Sequence, residues 1–123
     1  MAYGDKSDPI VVTQNDTRPI IRYYAKQGSG AAVNLAGSTV VFNMRLADPP
    51  QTLKANRQAA TLVGDGTGGG MDYVLKSSEV NTVALLQAEF EVTFPDGGIL
   101  TWPGGNPAAG QDYIYILVKD DIA

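Results

Sequence analysis

Apolar and polar residues alternate one by one along two stretches of the chain. In TVVFNMRLA, residues 39 to 47, Val40, Phe42, Met44 and Leu46 fall on one side and Val41, Asn43 and Arg45 on the other. In QAEFEVTF, residues 87 to 94, Ala88, Phe90, Val92 and Phe94 oppose Gln87, Glu89, Glu91 and Thr93. A period of two marks a β-strand with one buried face. Shorter β-branched or aromatic runs read as further strands: IVVTQ (10–14), IIRYYA (20–25), AATLV (59–63), MDYVL (71–75) and ILTW (99–102). DYIYILVK (112–119) is the last, and its continuous apolar run implies burial on both faces or a contact surface on one.

Turn residues punctuate these runs. Asn15, Asp16 and Thr17 predict a turn held by side-chain hydrogen bonds to backbone amides, after which Pro19 suits a strand start. KQGSGAAVNLAGS (26–38) reads as a hairpin-like connection, and DPPQTLKANRQ (48–58) as a loop because proline cannot donate to a ladder. GDGTGGG (64–70) looks too glycine-rich to pack and long enough to be mobile. In KSSEVNTVALL (76–86), Ser78 is placed to cap one short helical turn running through Val80 to Ala84. PDGG (95–98) closes a hairpin onto ILTW, and PGGNPAAGQ (103–111) is a further loop. Seven or eight short strands with at most one short helix predict an all-β, antiparallel β-sandwich.

The 123 residues suit one domain, able to remove roughly two thirds of its unfolded surface from water. We expect a flexible arm at residues 1–9 and a single sandwich over 10–123. The chain has no cysteine and no histidine, so thiolate nucleophiles, Ser-His-Asp triads and His- or Cys-built metal sites fall away. A net charge of −4 with scattered basic residues argues against a nucleic-acid partner. No apolar run approaches the roughly 18 residues of a spanning helix, so no membrane partner is expected.

The remaining constellations are thin. The glycine loop offers backbone amides to an anion but lacks the Lys-Ser/Thr pair of a P-loop, and Asp65 with Asp72 falls short of a calcium shell; no cofactor and no metal are expected. Glu89 and Glu91 share one strand face, a spacing that invites the paired-carboxylate logic of hydrolysis, although side chains two apart on an exposed strand most often just solvate it. Arg18, Arg22 and Arg45 are candidates to meet across strands. Trp102 either anchors an interface or closes one end of the core. Tyr23, Tyr24, Tyr113 and Tyr115 lie on strands, where β-propensity explains them and a sugar-stacking platform is the alternative. No catalytic residue is assigned.

NDTRPI, AVNLAGSTVVFNMR, NRQAATLV, MDYVL and AEFEVTFPDGG, taken in order, resemble the N-terminal immunoglobulin-like domain of phage baseplate upper proteins over residues 10 to 118. The most telling pieces are Asp16-Thr17-Arg18-Pro19, Leu35-Ala36-Gly37-Ser38 and the Phe90-to-Gly97 hairpin. The chain departs from the family by stopping where that domain passes into a longer receptor-binding region, and by carrying VNTVALLQAEF before the long strand. The resemblance implies an immunoglobulin-like sandwich in a virion, made in the bacterial cytoplasm. It would act as a tail or baseplate adaptor or connector, bound to copies of itself and to other phage structural proteins. A capsid decoration protein and a module binding host glycan are the alternatives. The residues expected to carry contacts are Trp102, Tyr113, Tyr115 and, in the arm, Tyr3.

Overall fold

The computed structural model describes residues 8–27, 30–104 and 113–120. Tyr3 and the 1–7 portion of the expected arm lie outside these, as does most of the 103–111 loop. Nine strands and one 3-10 turn make up the described architecture: β1 (Ile10–Thr13), β2 (Ile20–Tyr24), β3 (Thr39–Leu46), β4 (Leu53–Ala59), β5 (Thr61–Leu62), β6 (Gly70–Val74), the turn Ser77–Glu79, β7 (Ala84–Thr93), β8 (Ile99–Trp102) and β9 (Ile114–Lys119).

These strands form two layers. The larger sheet has the order β1-β9-β7-β3-β4, with β8 pairing the far half of β7; the smaller is β2-β6-β5. Alternation decides which side chains meet between them. Val40, Phe42 and Met44 of β3, Leu86, Ala88, Phe90 and Val92 of β7, and Ile114, Ile116 and Val118 of β9 are buried, and so are Ile21, Tyr23, Met71 and Tyr73 of the smaller sheet. Phe42 stacks on Tyr73 across the layers, centroids 4.2 Å apart, and meets Phe90 edge-on at 5.1 Å. The all-β sandwich is therefore as the alternation predicts.

Several local expectations change. β1 runs parallel to β9, Ile10 beside Ile116 through Thr13 beside Lys119, so the larger sheet is mixed and not purely antiparallel. LKANRQA, expected within a loop, is the edge strand β4: one face packs Ala55 while the rest is solvated, so its composition is polar. AATLV shrinks to the two-residue β5. The helical turn lies at Ser77–Glu79, earlier than expected, with Ser78 inside it; Glu79 closes it by accepting from the Lys76 N–H at 2.8 Å. Residues 84–86 belong to β7.

The turn before β2 is closed by backbone, the Asp16 N–H donating to the Thr13 carbonyl at 3.1 Å with Asn15 in a left-handed conformation, in place of the expected Asp16 and Thr17 side-chain bonds. The glycine loop is packed, contrary to the expectation of mobility. Gly66 and Gly69 accept from the N–H groups of Leu35 and Ala25, both at 2.8 Å, and a Cβ on Gly69 would stand 2.6 Å from the Ala25 carbonyl oxygen. Glycine lets two backbones approach where a side chain would separate them.

Candidate binding face

β3 and β7 are antiparallel neighbours in the middle of the larger sheet, with Val41 beside Glu91, Asn43 beside Glu89 and Arg45 beside Gln87. Because the even-numbered residues of these strands point into the core, the odd-numbered ones share the outer face. β9 adds Tyr115 next to Gln87, and β4 sets Leu53 next to Arg45.

Arg45 organises this face. Its Nε donates to Gln87 Oε1 at 2.9 Å and its Nη2 to the Tyr113 hydroxyl at 3.3 Å, with the guanidinium carbon 5.5 Å from the Tyr113 ring centre. Tyr113 and Tyr115 meet edge to face, 6.3 Å apart at 88°. On the other flank, Asn56 and Arg57 of β4 stand opposite the single residue Asn43, a bulge in which Arg57 adopts φ 49°. Asn43 Oδ1 accepts the Arg57 N–H at 2.7 Å, and the Arg57 guanidinium pairs with Glu91 at 2.7 Å.

Between these groups lies an open pocket of about 210 Å³, lined by Asn43, Met44, Arg45, Leu53, Gln87, Glu89 and Tyr113. Burial holds the Glu89 carboxyl above its ordinary range, the neighbouring Glu91 charge adds to this, and Arg45 opposes it. Glu89 has no hydrogen-bond donor among the described residues. The two carboxylates that looked alike in sequence thus differ: Glu91 is paired, Glu89 is not.

The other candidates fall elsewhere. Trp102 is 2% exposed and packs edge-on against Phe94 at 6.3 Å, so it closes the core and offers no surface for stacking or docking. Its indole N–H finds no acceptor among the described residues. Tyr23 is buried, whereas Tyr24 is exposed on the smaller sheet. The arginines do not gather: Arg22 makes a two-bond pair with Asp72 at 2.6 and 2.7 Å on the smaller sheet, while Arg45 serves the larger one. Asp72 is committed to that pair and Asp65 to the N–H and hydroxyl of Thr67, and no group of three metal-ligating side chains occurs among the described residues.

Apolar side chains also line up outward on both layers. Val11, 56% exposed, stands beside Leu117, which stands beside Leu85. On the smaller sheet Ile20 and Val74 are cross-strand partners, 50% and 51% exposed. Sequence reading named Tyr113 and Tyr115 but missed Arg45, Gln87, Asn43 and Leu53 as their companions. The usable signal was the matched alternation of residues 39–47 and 87–94, which joins Asn43, Arg45, Gln87 and Glu89 once those strands pair.

The fold and these surfaces define a two-layered all-β domain whose described chemistry lies on its outer faces. A scan against protein-family models found no match, and a search among curated proteins found none. No helix among the described residues is long and apolar enough to cross a membrane.

Proposed function

We propose that this protein is a structural component of a phage virion, an immunoglobulin-like adaptor or connector of the tail or baseplate that works through contacts with copies of itself and with other structural proteins, without catalysis. The observation that carries this reading is the outward apolar pairing on both layers, Val11 with Leu117 and Ile20 with Val74. A domain gripped from two sides needs apolar area on two faces, rimmed by polar groups that set register. Arg45, Tyr113 and Tyr115 supply such groups beside the first row, and Arg22–Asp72 beside the second.

The motifs behind the family resemblance fit an assembly role. Asp16 to Pro19 lead into β2, Leu35 to Ser38 form the turn before β3, and Phe90 to Gly97 build the β7–β8 hairpin, with the Phe94 N–H donating to the Gly98 carbonyl at 2.8 Å. These are scaffold devices, and they leave the faces free to vary with the partner. Quantitative mass spectrometry of purified particles from the phage or prophage whose genome carries this gene tests the proposal. The chain is expected in intact particles at a copy number that is a multiple of the tail symmetry. Its absence from intact particles overturns the reading.

A further inference from the structure

We propose that the pocket between Asn43, Arg45, Gln87, Glu89 and Tyr113 binds one neutral pyranose unit of a polysaccharide, an activity separate from assembly. Four planar polar groups, two amides, a guanidinium and a carboxylate, occupy adjoining positions of two paired strands: Asn43 beside Glu89, Arg45 beside Gln87. Paired strands lie roughly 5 Å apart and same-face neighbours along a strand roughly 7 Å apart, so the four groups frame an area about the size of one six-membered ring. The volume of about 210 Å³ suits a ligand of one ring and not a chain segment.

The hydrogen bonds already made decide the ligand class. Arg45 uses Nε and one Nη2 bond on Gln87 and Tyr113, and Asn43 uses its oxygen on the Arg57 N–H. Among the described residues this leaves the Glu89 oxygens without a donor, and the Asn43 amide N–H groups without an acceptor. A hydroxyl donates and accepts at once, so neighbouring hydroxyls of a sugar satisfy both sets together. A simple anion meets the Glu89 charge and a simple cation meets Arg45, so the lining disfavours either. The exposed lip Leu53 and the Tyr113 ring supply apolar surface for the C–H groups of a sugar.

Titration of isotope-labelled protein with methyl glucoside, methyl galactoside, methyl mannoside and N-acetylglucosamine, followed through the side-chain amide NMR signals of Asn43 and Gln87, tests the assignment. At least one of these sugars is expected to shift both signals saturably, and Glu89→Gln is expected to weaken it roughly tenfold in a folded protein. Should that variant not fold, Leu53→Asp at the exposed lip serves for the same comparison. Butylammonium and acetate are the charged controls. Saturable shifts with either and none with the sugars would assign the pocket to a charged group and overturn the proposal. So would the lack of any saturable shift up to high millimolar concentration, or sugar binding that neither variant weakens.

Discussion

Glu79 and Glu89 are two glutamates that burial treats in opposite ways. Glu79 is 4% exposed and fully engaged, accepting from the Tyr73 hydroxyl at 2.6 Å and from the Lys76 N–H at 2.8 Å. A buried carboxylate is tolerated when its oxygens are met by donors, and removal of one donor leaves the cost of desolvation uncompensated. Tyr73→Phe keeps the stack on Phe42 but deletes the donor, so it should lower stability by about 1–3 kcal/mol in chemical denaturation. Glu89 lacks a donor, and its carboxyl is raised from the ordinary 4.5, first by burial. Above 4.5 the unfolded chain releases a proton that the folded state still holds, so this residue's contribution to stability falls as pH rises through the raised value. In Glu89→Gln that slope should vanish, making the variant gain on the parent as pH is raised from acid to neutral; melting temperatures across that range check it. A gap between the two proteins that does not change with pH would contradict the burial argument.

The glycine loop and the edge strand show how elements depend on their neighbours. Gly64 and Gly69 both have positive φ, but a Cβ on Gly64 meets open space, whereas on Gly69 it would run into the Ala25 and Val33 carbonyls. Gly64→Ala should therefore cost only the left-handed backbone penalty, about 1–2 kcal/mol. Gly69→Ala must also push apart the Ala25–Gly69 contact and should cost about 2–4 kcal/mol. Equal losses in paired unfolding curves would refute the packed-loop reading. From sequence, GDGTGGG carries only the permissive side of glycine; the close backbone approach is made by residues 25 to 35, which are far away in the chain. β4 shows the same dependence. The prolines that precede it say loop, and it becomes a strand because β3 offers a free edge and Asn43 satisfies the Arg57 N–H at the bulge.

At the scale of the whole molecule, two exposed apolar rows stand on opposite layers, Val11 with Leu117 and Ile20 with Val74. If the virion reading holds, Val11→Glu with Leu117→Glu, and separately Ile20→Glu with Val74→Glu, should each reduce incorporation into particles while the isolated domain keeps its far-ultraviolet spectrum. These four side chains are exposed, so their replacement leaves the interdigitated core intact. The described strands other than β4, the buried faces of β3 and β7, and the β7–β8 hairpin were legible in the chain itself, because alternation and turn chemistry are local. The absence of histidine and cysteine likewise bounds the chemistry through composition alone. Which strands pair was decided only in three dimensions. That pairing set β1 parallel to β9, turned Trp102 inward, and separated Arg22 from Arg45 by a layer. It also gathered Asn43, Arg45, Gln87, Glu89 and Tyr113 around one pocket. The physical reason is that side-chain direction along a strand follows from its own sequence, whereas neighbourhood across strands depends on register and on how two sheets exclude water together.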